Sequence, residues 1–248
     1  MGRDRHESGF KPNADVIPGL KEARGIAQPA GSSPSITDIP YRKVSIYLSV
    51  PLAKLSVTPN QITVVWILLG LAADVGVGFS QYWIRVAAAA IFQLSYILDY
   101  VDGEVARLQG RTSKRGLFLD LSGHCLIKTG IFLGVGYRVV ASTGRLEYLI
   151  LAFLACLSVS NLSSLYTFAS YAGVSAWKKS NSQNSIERPR ASLSRRLLGL
   201  FGILFESPGI YASVFAAIIL ERTEWLLLFY GFCGPFWFVF RTREYRYE

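Results

Sequence analysis

The sequence predicts an all-α integral membrane protein with six transmembrane helices, preceded by an interfacial amphipathic helix. The first observation is composition: 51% of the 248 residues are apolar and only 17% are charged, whereas soluble domains carry roughly 25% charged residues. The second is that the apolar residues after position 58 fall into six blocks, each near the ~20 residues that cross a bilayer core. The third is that most Lys and Arg residues, which set the net charge of +9, lie in the polar segments at one end of these blocks.

The N-terminal segment is polar. Residues 1–40 contain five prolines, five glycines and no apolar run as long as that of a signal peptide. This composition predicts a flexible cytosolic extension over residues 1–40, with a short helix near residues 20–24.

Residues 41–57 are predicted to form the interfacial amphipathic helix. Basic residues at positions 42, 43 and 54 lie off a stripe of apolar residues at helical spacing, namely Val44, Tyr47, Leu48, Leu52 and Leu55. A basic amphipathic helix of this kind lies in the plane of the lipid headgroups. An ordinary surface helix of a soluble domain is the alternative, and the apolar blocks that follow argue against it.

Residues 58–248 are predicted to form the six-helix transmembrane domain. Pro59 is suited to the first turn of a helix, where a missing N–H group is tolerated. The predicted spans are 61–80, 84–101, 117–140, 147–172, 197–220 and 224–241.

The distribution of basic residues predicts the orientation. If the N-terminus is cytoplasmic, 20 of the 26 Lys and Arg residues fall in the cytoplasmic segments, which are 1–60, 102–116, 173–196 and 242–248. Because cytoplasmic loops are enriched in Lys and Arg, this predicts a multi-pass protein of the cell (inner) membrane whose basic face meets membrane lipids. No basic patch is interleaved with exposed aromatic residues, so nucleic acid is not an expected partner.

Acidic residues cluster at the cytoplasmic ends of the second and third spans. Asp99 and Asp102 are three residues apart, and Asp120 and His124 are four apart, so each pair lies on one face of its helix. Carboxylates at this depth are costly and are usually functional. If the two helices are neighbours, the four side chains converge on one pocket, and such oxygen-rich clusters suit Mg²⁺ or Mn²⁺. Helix-end charges that face water are the alternative.

Two further features of this stretch suit a phosphorylated ligand. Arg107 could hold a phosphate through two parallel hydrogen bonds. The small residues Gly103 and Ala106 would let a flat ring approach the helix backbone closely.

Together these residues carry a family resemblance. The pattern Asp99-x-x-Asp102-Gly103-x-x-Ala106-Arg107, followed after eight residues by Gly116, after three by Asp120 and after three more by His124, resembles the signature of the CDP-alcohol phosphotransferase family. That signature has four aspartates, and His124 stands in place of the fourth. The segment from Thr58 to Thr63 also resembles the segment that precedes the first span in this family. The resemblance covers roughly residues 41–240.

The resemblance implies a six-helix membrane enzyme, usually a homodimer, with its site open to the cytoplasm. Such enzymes transfer a substituted phosphate group from a CDP-alcohol to an acceptor hydroxyl and release CMP, so residues 58–248 would be the catalytic domain. The donor would be CDP-diacylglycerol or a CDP-linked polar alcohol, and the acceptor a lipid or a polar alcohol. The stretch from Arg42 to Thr63, with Asp102-Gly103-Glu104, is similar to the branch that includes inositol-phosphate transferases acting on polar CDP-alcohols.

The resemblance also implies residue roles. The metal ligands would be Asp99, Asp102, Asp120 and His124, which would hold Mg²⁺ or Mn²⁺, with two ions expected. The nucleotide site would be formed by Asn60, Thr63, Gly103, Ala106, Arg107 and Gly116. His124 would act as the base for the acceptor hydroxyl, because a neutral imidazole accepts a proton near neutral pH. Unlike an aspartate, the imidazole of His124 brings no negative charge, so the second metal ion would bind less tightly or be absent.

Two other hypotheses remain. The missing fourth aspartate motivates a catalytically silent family member that binds nucleotide or lipid as a partner or scaffold. A transporter that uses Asp74, Asp99, Asp120 and Lys128 as a relay is weaker, because it leaves the Gly and Arg spacing unexplained. Asp74 lies within the first span, where it pairs with Lys128 or another basic group, or extends to the interface.

Overall fold

The computed structural model describes residues 17–29, 36–171, 174–176, 193–243 and 245–247. Within these residues the regular structure is helical apart from one short strand pair. The helices are α1 Leu20–Ala27, α2 Ile39–Lys54, α3 Pro59–Gly76, α4 Tyr82–Leu108, α5 Lys114–Thr143, α6 Glu147–Tyr171, α7 Leu193–Ile203, α8 Ser207–Ile219 and α9 Thr223–Thr242, with a 3₁₀ turn at Ile36–Asp38. The strands β1 Val174–Ala176 and β2 Tyr245–Tyr247 pair antiparallel. The first sixteen residues of the predicted extension and most of the predicted cytoplasmic loop 173–196 lie outside the described residues.

Among the described residues, four helices are long and apolar enough to cross a membrane by length and composition, namely α3, α4, α5 and α9. The segment Glu147–Leu162 of α6 and the helix α8 are also apolar. Many large apolar side chains point outward, including Trp83 and Phe236, which are 76% and 77% exposed. An apolar surface of this extent is typical of contact with lipid or another protein. The structure therefore confirms a helical chain with membrane character, and the count of six spans stays a prediction.

Local sequence signals set the ends of the helices around the acidic cluster. Thr58 caps α3 in a capping box, in which Gln61 N–H donates to the Thr58 hydroxyl and Thr58 N–H donates to the Gln61 side chain. Ser113 caps α5 by accepting from Gly116 N–H at 3.0 Å. Gly144, at φ +71°, ends α5 in the left-handed conformation that glycine adopts without strain.

The helix α4 runs seven residues beyond the predicted end of the second span. It continues through the whole acidic motif to Leu108, and the chain turns at Gly110, where φ is +61°. The stretch after Asp102 contains no proline, and a single glycine inside a helix costs only about 1 kcal/mol. The motif residues from Asp99 to Arg107 therefore project from one continuous helix.

The predicted fifth span, 197–220, is interrupted in the structure. The helices α7 and α8 are separated by residues 204–206, and Pro208 lies in the first turn of α8. The side chain of Phe205 turns into the core, and Tyr230 of α9 donates its hydroxyl hydrogen to the Leu204 carbonyl at 2.6 Å. A continuous helix over 197–220 is thus wrong, because proline cannot continue the hydrogen-bond ladder from the preceding helix.

Most of the predicted apolar stripe of α2 faces outward, whereas Leu52 packs against the buried cluster beneath the helix. Val44, Tyr47 and Leu55 are exposed, which is the orientation an interfacial helix would need. The opposite face packs against α4 and carries Ser45, Ile46, Ser49, Val50 and Ala53. The predicted interfacial position is not tested by these contacts and stays a prediction.

The helices α3, α4 and α5 together position the acidic cluster. The helix α3 packs against both α4 and α5. The first turns of α3 and α5 meet, because a Cβ atom added to Gly116 would lie 3.2 Å from Asn60 Oδ1. The short helix α1, which overlaps the helix predicted near residues 20–24, packs on α4 with Ala23 and Ala27 fully buried.

Candidate active site

A cavity of about 210 Å³ lies between the first turns of α3 and α5 and the C-terminal part of α4. Its wall contains eight of the ten residues that the sequence assigns to a site. These are Asn60, Thr63, Asp102, Gly103, Ala106, Arg107, Gly116 and Asp120. The remaining two, Asp99 and His124, join the cavity through Asp120, whose Oδ1 lies 3.6 Å from His124 Nε2.

Asp99, Asp120 and His124 form a compact cluster between α4 and α5. The Oδ1 atom of Asp99 lies 3.3 Å from His124 Nε2. One ligand atom from each of the three side chains lies within 4.8 Å of the other two. Each side chain is between 15% and 32% exposed, so the cluster is shielded but accessible.

The donor set of this cluster fits a divalent cation. Carboxylate oxygens and an imidazole nitrogen converge from two helices, and Mn²⁺ and Mg²⁺ accept such ligands. The predicted fourth ligand, Asp102, lies outside the group of three. Asp102 lines the adjacent cavity together with Asp120.

Two neighbours on α3 hold the carboxylate of Asp102. Its Oδ2 atom accepts a hydrogen bond from the Thr63 hydroxyl at 2.6 Å and from Trp66 Nε1 at 2.8 Å. All three side chains are buried. A buried carboxylate is costly unless donors satisfy it, so Thr63 and Trp66 keep Asp102 in a defined position. Thr63, which the sequence assigns to the nucleotide site, thus also supports a carboxylate.

The two ring nitrogens of His124 lie in different environments. Its Nε2 atom faces the carboxylates of Asp99 and Asp120. Its Nδ1 atom is buried and has no hydrogen-bond partner within the described residues. The ring packs against Trp66, with 5.2 Å between ring centroids. Any contact of His124 with a metal ion or a substrate therefore uses Nε2.

The guanidinium of Arg107 is hydrogen-bonded through Nε, and its two terminal nitrogens lie at the cavity wall. Its Nε atom donates to the backbone carbonyl of Ala27, the last residue of α1, at 2.6 Å. The two terminal nitrogens lie beside Gly103, where an added Cβ would sit 3.4 and 3.5 Å from them. Because a guanidinium carries five N–H groups, four stay on the terminal nitrogens. Glycine at position 103 leaves these groups room along the cavity wall.

Sequence reasoning missed several residues of this site. The spacing of Trp66 could have indicated it, because Trp66 follows Thr63 by three residues and so lies on the same helix face as a predicted site residue. Arg111 and Ser113 line the cavity next to Arg107, and Arg111 belongs to the basic turn between the second and third predicted spans. Glu104 lies inside the motif, is 1% exposed, and had no predicted role of its own.

Two other ionisable residues lie outside this cavity. Both oxygens of Asp74 are buried without a hydrogen-bond partner in the described part of the chain. The pair with Lys128, one of the alternatives that the sequence left open for Asp74, therefore does not form a hydrogen bond. The Asp74 carboxyl instead lies against Gly130 of α5. Lys128 lines a second cavity of about 400 Å³, whose wall also includes Asp38, Tyr96, Tyr100 and Glu206.

A model of the CDP-alcohol phosphatidyltransferase family matches residues 56–218 of the chain. This range includes every residue that the sequence assigns to the site.

Curated relatives match shorter segments. The "bifunctional IPC transferase and DIPP synthase" of Thermococcus kodakarensis is 44% identical over 79 residues, which are 32% of this chain and 17% of that protein. The phosphatidylinositol phosphate synthase of Corynebacterium glutamicum is 33% identical over 111 residues, which are 45% of this chain and 50% of that protein. The archaetidylinositol phosphate synthase of Pyrococcus horikoshii is 34% identical over 86 residues, which are 34% of this chain and 43% of that protein. The matched segments thus span half or less of each relative.

Proposed function

The chain belongs to the CDP-alcohol phosphatidyltransferase family, and we propose that it transfers a substituted phosphate group from a CDP-alcohol to an acceptor hydroxyl and releases CMP. The observation that carries this proposal is the cavity between α3, α4 and α5, which gathers eight motif residues at one place. Next to it lies a cluster of carboxylates and an imidazole suited to a divalent metal ion.

The cavity is suited to the cytidine diphosphate part of the donor. Gly103 and Ala106 form a wall without bulky side chains, against which a flat ring can lie. The terminal nitrogens of Arg107 provide paired donors for phosphate oxygens. Asn60 and Gly116, which meet where α3 and α5 begin, close the opposite side.

Metal ligation falls to the acidic residues. Asp99, Asp102 and Asp120 would hold Mg²⁺ or Mn²⁺. His124 would ligate a second, weaker ion only when its Nε2 atom is not acting as the base, because one lone pair cannot serve both roles. A bound ion would stabilise the negative charge that develops on the diphosphate.

His124 is the proposed base. Its Nε2 atom takes the proton of the acceptor hydroxyl as that oxygen forms a bond to phosphorus. The bond between this phosphorus and the oxygen of CMP breaks, and CMP leaves. General bases with a pKa near neutral suit this step. The ring of Trp66 packs against the imidazole and holds it in place.

The second cavity supports a polar acceptor. Its wall carries the hydroxyls of Tyr96 and Tyr100, the carboxylates of Asp38 and Glu206, and the ammonium group of Lys128. Groups of this kind suit the hydroxyls of a polyol better than an acyl chain, and Lys128 is the one cation among the described residues of this wall that could meet a phosphate. The names of the relatives point to inositol phosphates. We therefore propose an inositol phosphate as acceptor and CDP-diacylglycerol or a related lipid donor, with a CDP-linked polyol and a lipid acceptor as the alternative pairing.

The predicted topology completes this proposal. Six spans, a location in the cell membrane and a homodimer would be the arrangement of the active protein. A cytoplasmic site is supported by the basic residues Arg107 and Arg111 at the cavity, since Lys and Arg are enriched on that side.

The test is CMP release by the purified full chain in lipid nanodiscs. CDP-diacylglycerol is supplied with and without inositol phosphate, and a CDP-linked polyol is tested with diacylglycerol or another lipid alcohol. Mg²⁺ or Mn²⁺ should support release, and EDTA should stop it. Asp102→Asn should abolish release, whereas the matched variant Asp74→Asn, which lies outside the cavity, should release CMP as the wild type does.

Three outcomes contradict the proposal. If none of the CDP-alcohols tested yields CMP, the proposal is refuted. Binding of a CDP-alcohol without turnover supports the catalytically silent alternative. Release that is unchanged by EDTA refutes the metal dependence.

A further inference from the structure

Glu104 has the lowest exposure among the buried charged side chains of the described residues. Three donors satisfy its carboxylate. Oε1 accepts from Gln28 Nε2 at 2.6 Å and from the Ser45 hydroxyl at 2.7 Å, and Oε2 accepts from the Ser49 hydroxyl at 2.6 Å. A buried carboxylate persists only with such partners. The three donors lie on α2 and just after α1, so Glu104 joins both N-terminal helices to α4.

The same end of α1 holds Arg107. Ala27, the last residue of α1, accepts a hydrogen bond from Arg107 Nε, and Gln28, the next residue, donates to Glu104. The last carbonyls of a helix have no partner within the helix and carry partial negative charge, so a guanidinium binds them favourably. Glu104 and Arg107 are three residues apart on α4. Two adjacent residues at the end of α1 thus contact two neighbouring charged residues of the motif.

We infer that Glu104 and Gln28 are positioning residues for Arg107: they dock the C-terminal end of α1 so that its Ala27 carbonyl orients the guanidinium toward the donor phosphates. This inference rests on the proposed function, in which Arg107 binds those phosphates. The helix α1, Ser45 and Ser49 all precede residue 56, where the family match begins.

The physical reason is preorganisation. A mobile arginine loses rotamer freedom when it binds a ligand, and binding is tighter when this freedom is restricted beforehand. The Ala27 carbonyl occupies Nε, which leaves the terminal nitrogens for the ligand. Within the described residues, the hydrogen bonds of Glu104 and Gln28 go to α2 and to each other and not to the cluster of Asp99, Asp120 and His124. Their loss should therefore weaken donor binding and leave the chemical step nearly intact.

The experiment measures KM for the CDP-alcohol and kcat separately, using the full chain in nanodiscs. Gln28→Ala and Glu104→Gln should each raise KM by about tenfold, which corresponds to about 1.4 kcal/mol, and should change kcat by less than about twofold. The control Glu22→Gln makes the same side-chain change at an exposed position of α1 and should leave both constants at wild-type values.

A charge swap separates positioning from general stability. In the double variant Gln28→Glu with Glu104→Gln, an acidic side chain at position 28 can accept from an amide at position 104. Gln28 Nε2 also donates to the Arg42 carbonyl at 2.7 Å, and a glutamate cannot replace that bond, so KM should return part of the way to the wild-type value. Hydrogen exchange in residues 17–29 gives a second measurement: it should be faster in Gln28→Ala than in the wild type and slower again in the double variant.

Several results overturn the inference. Wild-type KM in Gln28→Ala refutes it even if Glu104→Gln fails to fold. A loss of kcat of about tenfold without a change in KM also refutes it. So does a double variant whose KM is as high as that of the worse single variant. These outcomes presuppose an active wild type, so they leave the proposed function standing. A wild type that binds no CDP-alcohol refutes the proposed function and this inference together.

Discussion

Replacing Trp66 with phenylalanine tests the support of Asp102 directly. Trp66 Nε1 donates to Asp102 Oδ2 at 2.8 Å, and the indole ring also packs against His124. Phenylalanine keeps an aromatic ring in this position but removes the donor. The Asp102 carboxylate then retains the Thr63 hydroxyl as its partner on that oxygen.

The magnitude follows from the type of bond lost. A hydrogen bond to a charged group contributes about 1.5–3 kcal/mol, and ~1.4 kcal/mol corresponds to a factor of ten. If this interaction is needed to hold Asp102 for catalysis, kcat/KM for CMP release should fall by about ten- to a hundredfold. The smaller ring also leaves a void, because Trp66 is 1% exposed, so a lower melting temperature should accompany the change.

The assay is the initial rate of CMP release at saturating metal, at a temperature well below the melting temperature of every variant. Trp83→Phe is the matched control, since Trp83 is 76% exposed and should retain wild-type activity. Thr63→Val removes the other donor to the same oxygen, so the effects of the two substitutions should be non-additive. If Trp66→Phe lowers kcat/KM by less than about twofold, the position of Asp102 does not depend on this hydrogen bond.

Three further changes have definite expected outcomes. His124→Asp should keep or raise the rate of CMP release, and His124→Ala should lower it by about a hundredfold or more, the contribution typical of a general base; equal rates in His124→Ala and the wild type would remove this side chain from the mechanism. Gly123→Ala would place a Cβ atom 2.6 Å from side-chain carbons of α3, so thermal unfolding should show a loss of about 1–3 kcal/mol. Gly25→Ala is its control, because nothing lies within 4 Å of an added Cβ there. Asp74→Asn should keep or raise the melting temperature, because both carboxylate oxygens are buried without a partner in the described residues; a fall of several degrees would reveal a partner for this carboxylate.

Much of the site could be predicted from spacing. Asp99 and Asp102 on one helix face, and Asp120 and His124 on another, follow from the 3.6-residue period of the α-helix. That these faces meet required only that the two helices be neighbours. The cavity wall contains eight of the ten predicted site residues, of which Asn60, Thr63 and Gly116 were assigned through the family resemblance and not through spacing.

The supporting contacts could not be predicted in the same way. Thr63 was expected beside the nucleotide, but its hydroxyl also holds Asp102 from another helix. On α2, the apolar stripe suggested which face lies in the membrane interface, whereas the serines on the opposite face gave no sign that they bind Glu104. The block 197–220 was predicted to be one span, although Glu206, Ser207 and Pro208 interrupt its apolar pattern and are a sequence signal for a break. The structure adds how the turn is held, through the packing of Phe205 and the hydrogen bond from Tyr230.

The sequence by itself determined the helical, membrane-compatible character of the chain and which functional side chains share a helix face, because hydropathy and helical periodicity are properties of neighbouring residues. Only the tertiary structure decided which partners hold those side chains. Trp66 and Asp102 are 36 positions apart, and Ala27 and Arg107 are 80 apart. Contacts over such separations depend on how whole helices pack, so the orientation of Asp102 and Arg107 became visible only when α1, α3 and α4 were seen together.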